Sequence, residues 1–431
     1  MKKEEKILVK QNLKYDVVVV GGGTAGTAAA LGAAQTGAHT LLIERNPYFG
    51  GQLTHCTLPA ICGLFTQDDP YEQAVRGVAQ KILEKLSQIG QYDDPIRVDK
   101  DQTKSPVVVM IEPEAVKYAL DQVLMDANVD MLLHTQVIEV NKKNGRIESI
   151  ICIDDNGKFE ITADAFVDAS GDANLAAMAG GGYVLGGDDG KFQASTLMIR
   201  IGGIPLDIDI DPEKIKEAII KGKAAGIKHL TKEIGDNFRL PFSPDVLLNV
   251  ADESVNGVDA LSLTHAEIAG REQAWSYIEA MRRFFPGGEN AYIIHTGPKI
   301  GIRETRHIVC EYKLVAADLK EGKHYEDSIG RAAWMGEAHN TAGMPNELCP
   351  VYNYSYYDIP LRSIQVKHIH NLWAAGRTID CDTLTFVSVR VTGTAMATGH
   401  AAGVAAAIYS NTKSTLSYEV RRELIKQNAL I

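Results

Sequence analysis

The 431-residue sequence predicts an α/β chain. Its parallel sheet begins near the N-terminus, is completed near the C-terminus, and is interrupted by an α+β segment. Three observations carry the prediction. An apolar run at residues 15–20 leads into Gly21-Gly22-Gly23-Thr24-Ala25-Gly26, an alanine-rich helix, and a second apolar strand that ends in Glu44. Between 136 and 162, short strands are punctuated by Asn144-Gly145 and Asp154-Asp155-Asn156-Gly157, the signature of a meander. Finally, residues 371–377 form a strand ending in Gly376-Arg377, followed by a Gly- and Ala-rich helix from about 391 to 409.

The first unit is specific in its chemistry. Gly21 permits the tight turn, Gly23 lets backbone approach a pyrophosphate, and Gly26 lets helix and strand pack closely. Phosphates would rest on the unpaired amides of Thr24 and Ala25, where the helix dipole favours negative charge. Glu44 stands 23 residues beyond Gly21, where a carboxylate accepts hydrogen bonds from a ribose diol. Strand, glycine triplet, helix, strand and acid together identify an adenine-dinucleotide site of Rossmann type.

The later segments narrow the choice of dinucleotide. After Glu44 comes Arg45-Asn46-Pro47-Tyr48-Phe49-Gly50-Gly51-Gln52, and residues 161–168 lead into Ser170-Gly171-Asp172. Further marks are Asp259-Ala260, Thr264-His265-Ala266-Glu267 with Gly270-Arg271, residues 301–306, and Ala397-Thr398-Gly399-His400-Ala401-Ala402-Gly403. From about Lys14 to Tyr409 this ordered set resembles the FAD-dependent oxidoreductases of the glutathione-reductase-like FAD fold, related to the flavoproteins of succinate dehydrogenase and fumarate reductase. The resemblance implies FAD as cofactor and contacts to it from Arg45, Gly51, Gln52, Ser170, Gly171, Asp172, Gly376 and Arg377. It implies that the Val137 backbone meets adenine, and that the amides around Thr392, Gly393 and Ala395 face the pyrimidine edge of the flavin.

The elements follow in order. Residues 71–89 read as an amphipathic helix, 114–127 as a helix, and 131–134 and 136–142 as strands. One strand ends at Ile153, 159–162 pairs back, and 161–168 forms another strand. Beyond about 190 the character changes: 196–201 is a strand, 212–225 a lysine-rich helix, and Thr264-x-x-Glu267 reads as a capping box opening another helix. The expected organisation is an FAD-binding domain in two parts, 12–190 and 351–412. An inserted α+β substrate domain occupies 191–350, and a tail helix 413–431. The flavin ring would lie at the seam.

Bulk properties set limits. A 45% hydrophobic and 23% charged composition suits a globular protein. The formal net charge of −11 argues against nucleic acid and anionic membrane surfaces as partners. No apolar run approaches the roughly 20 residues of a spanning helix, and residues 1–10 are too polar for a secretory signal. Six scattered cysteines do not form a disulfide framework. A cytoplasmic protein acting on a small-molecule substrate is expected, with its electron donor or acceptor unidentified and homo-oligomerisation open.

A flavin carries the electron chemistry, so protein residues must orient substrate and move protons. No metal-ligand pattern is present. Arg303 and Arg306 flank Glu304, which reads either as a substrate grip or as a structural ion pair. Arg390, just before the last long helix, falls about where the resembled reductases grip a substrate carboxylate, a task for a planar guanidinium fork. Among the histidines, His39, His134, His265 and His400 read as structural. His55, after the Gly50-Gly51 loop, is a candidate for the active site or for flavin attachment. His339 matches a family position, with Glu337 as the carboxylate that would raise its basicity; Tyr352 and Tyr354 stand behind it as proton carriers. The leading expectation is hydride transfer between flavin N5 and a small polar metabolite, anionic or hydroxylated. Two alternatives are a thiol–disulfide enzyme using Cys56 and Cys62, and a non-catalytic subunit of an electron-transfer complex.

Overall fold

The computed structural model describes residues 13–99, 104–339, 342–343 and 347–431, without the side chains of Glu337 and Glu347. Its main sheet has seven strands. Asp130–Leu132, Thr40–Ile43, Leu13–Val20 and Gly157–Asp168 lie side by side in parallel, and Leu372–Ala374 joins Gly157–Asp168, also in parallel. Arg146–Asp154 and Gln136–Lys143 extend the sheet as antiparallel neighbours.

The strand Gly157–Asp168 joins the two arrangements. Its first half pairs with Arg146–Asp154 as the return of the meander, and Phe166 to Asp168 pair with Leu372 to Ala374. The two strands expected at 159–162 and 161–168 are therefore one strand of 12 residues. Its last four residues, Ala165 to Asp168, are all buried, as residues of central parallel strands are.

Two helices fix the site in front of this sheet. Thr24–Gln35 and Thr392–Thr412 pack backbone against backbone. A Cβ on Gly399 would lie 2.0 Å from the Ala25 carbonyl oxygen, and one on Gly403 1.9 Å from that of Ala29. The small residues of both helices are thus a requirement of their approach. Because the helices lie this close, both of their N-termini open onto the same space.

A second sheet of four antiparallel strands runs Phe238–Arg239, Val246–Glu253, Ser195–Gly202, Tyr292–Thr296. The helices Pro212–Ala224 and Ala260–Phe284 pack together, the latter against this sheet, enclosing a core of their own from Leu197 to Ile302. From Ile308 onward most buried apolar residues join the cores around the main sheet, while Trp334 and Met335 pack with Val108, Met110 and Val391. The strands Ser328–Ala332 and Tyr357–Pro360 pair with each other within that later stretch.

Two helix starts differ from expectation. The helix expected from 71 begins at Val78, after Gly77 at φ 67, where a Cβ would meet the His400 ring at 2.8 Å. The long helix starts at Ala260 with Asp259 as its cap, accepting from the Ser262 amide. Thr264 and Glu267 therefore form no capping box: the Thr264 hydroxyl bonds the Ala260 carbonyl, and Glu267 accepts from the Ile300 amide. No helix among the described residues is long and apolar enough to cross a membrane, and these residues contain no metal-binding cluster of three or more His, Cys, Asp or Glu.

Candidate functional site

A cleft of about 820 Å³ runs between the two helix N-termini, the start of the helix Ala260–Phe284 and Lys299, near the upper end of the roughly 300–1,000 Å³ typical of small-molecule sites. Gly21, Gly23, Thr24, Ala25, Glu44, Arg45, Gly51, Gln52, Val137, Ser170, Gly171, Asp172, Gly376, Arg377, Thr392 and Ala395 all line it. Gly26 and Gly393 stand behind the wall. A Cβ on Gly26 would meet the Gly21 carbonyl oxygen at 1.7 Å, and one on Gly393 the Cys62 carbonyl oxygen at 2.7 Å.

Neither helix N-terminus is capped by a side chain: Gly23 and Val391 occupy the cap positions. Their first-turn amides remain available as donors, and both helix dipoles direct positive potential into the cleft. Glu44 is 6% exposed and both its oxygens are engaged. Oε2 accepts from the Gly22 amide at 2.7 Å, and Oε1 from the Asn46 amide at 2.9 Å and its Nδ2 at 2.5 Å. These bonds fix the carboxylate beside the glycine turn, with lone pairs left over for a diol.

Asp172 gathers the cations. Arg377 Nη2 lies 3.2 Å and Arg45 Nη2 3.8 Å from its carboxylate, the Thr305 hydroxyl donates to it at 3.1 Å, and Arg306 Nη1 donates to its backbone carbonyl at 2.9 Å. Lys299 and Arg390 complete the charged lining, giving five cations against two carboxylates among the described residues.

The four catalytic candidates separate. His55 and Arg390 line the cleft; Arg303 and His339 do not. Arg303 turns its guanidinium to the Ala194 carbonyl and to the Thr196 hydroxyl at 2.9 Å, at the start of the second sheet. His339 is buried, and its carbonyl accepts from the Ala194 amide at 2.8 Å. Glu337, expected beside it, lies outside the described side chains. The ion pair of Glu304 with its flanking arginines, one of the two readings, is not found among the described residues. Glu304 instead accepts from the Gln193 amide at 3.0 Å and meets His307 Nε2 at 3.0 Å. Tyr352 and Tyr354 line a separate cavity with Lys104 and Lys320.

Among the described residues, His55 is the histidine that lines the cleft. Its ring stacks on Tyr48 at 4.9 Å, its backbone amide donates to the Gly51 carbonyl at 2.7 Å, and its buried Nε2 has no hydrogen-bond partner. Burial pushes its pKa below the ordinary value; Lys299 and Arg45 push the same way, against Glu44. The ring is therefore neutral at pH 7, and its Nε2 is both buried and without a hydrogen-bond partner.

The two cysteines of the thiol alternative differ in place. Cys56 lines the cleft, its thiol donates to Gln52 Oε1 at 2.8 Å, and burial raises its pKa to about 12. Cys62 lies in the strand Ala60–Cys62 beside Thr392 and outside the cleft lining, and the two are not joined in a disulfide. A buried thiol that donates to an amide oxygen is held in its unreactive form. Sequence reasoning missed Lys299: a single lysine in an irregular loop carries no local pattern, and only the fold brings it to the cleft.

A family model described as FAD dependent oxidoreductase matches residues 16–428. The chain belongs to that family. Its cofactor is FAD. The thiamine thiazole synthase of Aeropyrum pernix is 29% identical over 177 residues, 38% of this chain and 57% of that protein. The vinyl phenol reductase of Lactiplantibacillus plantarum is 48% identical over 60 residues, 14% of this chain and 11% of that protein. The chain thus spans less than two thirds of either relative. Among solved structures, a geranylgeranyl bacteriochlorophyll reductase-like protein from Thermoplasma acidophilum gives a TM-score of 0.45 at 17% identity, covering 97% of this chain and 85% of that one.

Proposed function

We propose that this protein transfers a hydride between N5 of its flavin and a carbon of a small polar metabolite, anionic or hydroxylated. The observation that carries the reading is the charge of the cleft. Five cations face two carboxylates, and the diphosphate of FAD offsets two of the three surplus positive charges. One remains for an anionic substrate or for negative charge on the reduced ring.

When bound, FAD supplies the two-electron chemistry, and the chain's residues supply the rest. The amides of Gly23, Thr24 and Ala25 hold the diphosphate, Glu44 the adenosine ribose and the Val137 backbone the adenine. The amides following Val391 stabilise negative charge at the pyrimidine edge. Arg390 grips a substrate carboxylate, and Arg303, bonded to the start of the second sheet, supports that wall from behind.

A hydride leaving or reaching carbon obliges a proton to move at the neighbouring atom. His55, neutral, lining the cleft and with Nε2 unpartnered, takes or returns it. Direction follows the partner substrate: dehydrogenation at a C–OH or C–N centre, or reduction of an activated double bond. The local similarity to a vinyl phenol reductase supports the second. The test is anaerobic mixing of the yellow protein with a metabolite panel, and dye-reduced protein with oxidised candidates. Saturable bleaching or reoxidation by an anionic or hydroxylated compound is expected; reaction with dithiols alone would transfer the activity to Cys56 and Cys62.

A further inference from the structure

We propose that Lys299, carried by the second sheet's side of the seam, is a direct ligand of the FAD diphosphate and ties that side of the molecule to the cofactor. Lys299 follows the strand Tyr292–Thr296, and its amide donates to the His55 carbonyl at 3.1 Å. That bond anchors the loop to the short helix Gln52–His55, whose cap Gly51 abuts Gly23: a Cβ on Gly51 would lie 2.8 Å from the Gly23 Cα. The lysine therefore enters the cleft one helical turn from the glycine turn that receives phosphate.

Its ammonium has no hydrogen-bond or ion-pair partner among the described residues. The charged and titratable groups around it are Arg45, His55 and Cys56 from the first nucleotide unit, Asp172 and Arg377 from the sheet's C-terminal edge, and Glu267 from the long helix. Arg45 and Arg377 already share the single carboxylate of Asp172. Among the cleft-lining groups of this set, Lys299, Arg45 and Arg377 against Asp172 leave two positive charges in excess, which Glu267, behind the lining, reduces to one, so the cluster attracts an anion such as a diphosphate. Two cations held apart by one carboxylate with a third beside them repel one another until an anion enters. Burial and the two arginines accordingly push the Lys299 pKa below its ordinary value of 10.5.

Two consequences follow. An anion seated among the three cations favours the protonated lysine, so binding takes up a proton at alkaline pH. Removing the charge weakens diphosphate binding while relieving repulsion in the apoprotein. The proposal concerns cofactor binding alone and stands or falls independently of the substrate reading.

The probes are FAD and ADP, which carries the diphosphate without a flavin, titrated into apoprotein of wild type, Lys299→Met and Lys299→Arg between pH 7 and 10. Losing one charge-assisted contact should weaken binding of both probes to Lys299→Met by about tenfold or more. Lys299→Arg should stay within about threefold of wild type at pH 7 and hold its affinity as pH rises, because a guanidinium stays charged. Wild-type affinity for ADP should fall toward pH 10. Urea unfolding of Lys299→Met apoprotein should come no earlier than that of wild type. Unchanged affinity for both probes would overturn the proposal. So would weakening confined to FAD, which would move the lysine to the flavin end, or early unfolding of the apoprotein, which would make it a structural residue.

Discussion

Glu44→Ala tests the nucleotide end of the site, because the carboxylate serves the fold and the cofactor at once. Its oxygens accept from two backbone amides, Gly22 at 2.7 Å and Asn46 at 2.9 Å, in a position 6% exposed. Alanine leaves both donors without a partner. At about 1–3 kcal/mol for each unsatisfied buried group, the apoprotein should lose about 2–6 kcal/mol. Glu44→Gln keeps one acceptor oxygen and should lose about half as much. The ribose contact is a separate loss. A hydrogen bond to a charged acceptor contributes about 1.5–3 kcal/mol, so FAD affinity should fall by about 10- to 150-fold in the variant that still folds. Urea unfolding of apoprotein gives the first quantity and fluorescence titration with FAD the second. Native stability together with native FAD affinity in Glu44→Ala would refute both the hydrogen-bond account and the ribose assignment.

Three further perturbations bear on other parts of the account. The double variant Cys56→Ser, Cys62→Ser should keep most turnover, since the Cys56 thiol is held protonated against Gln52 and Cys62 stands outside the cleft lining; steady-state rates with flavin content measured in parallel decide it. Arg390→Lys should raise KM for a carboxylate substrate and lower kcat together, because the planar fork is lost while the charge stays; a rise in KM alone would reduce its role to simple charge. Burial lowers the His400 pKa from 6.5 to about 4, with Nε2 bonded to Gln427 at 2.7 Å. The folded value lies below the unfolded one, so stability is fully present above about pH 6.5 and is lost as pH falls toward 4, by about 3 kcal/mol. His400→Gln should flatten that acid limb in urea titrations at successive pH values.

What could be read in advance followed the range of the forces. The glycine turn, the acid after the second strand and the Asn144-Gly145 hairpin are local signals, because turn sterics and helix dipoles act within a few residues. The close pairing of Ala25 with Gly399 and Ala29 with Gly403 is hinted at only by small residues, since its partners lie hundreds of positions apart. The strands Val246–Glu253 and Tyr292–Thr296 escaped because their faces are set by a sheet assembled from distant segments. Asp259 took the cap expected of Thr264 because its carboxylate reaches the Ser262 amide while Glu267 is drawn across to Ile300. In the site, His339 and His55 are equally plausible in a string of letters. The His339 backbone pairs with Ala194 outside the cleft lining, whereas His55 lines the cleft with an unpartnered Nε2.

The most direct test of hydride transfer with proton movement at His55 is anaerobic stopped-flow bleaching of holoprotein with a substrate from the panel. It is run for wild type, His55→Ala and His339→Ala at equal flavin content. The account predicts that His55→Ala slows bleaching at saturating substrate by about 100-fold or more, the usual worth of a positioned acid or base. His339→Ala should remain close to wild type. It also predicts that the wild-type rate holds below pH 6.5, because burial lowers the His55 pKa. A His55→Ala protein bleaching at the wild-type rate, with His339→Ala slowed instead, would contradict it.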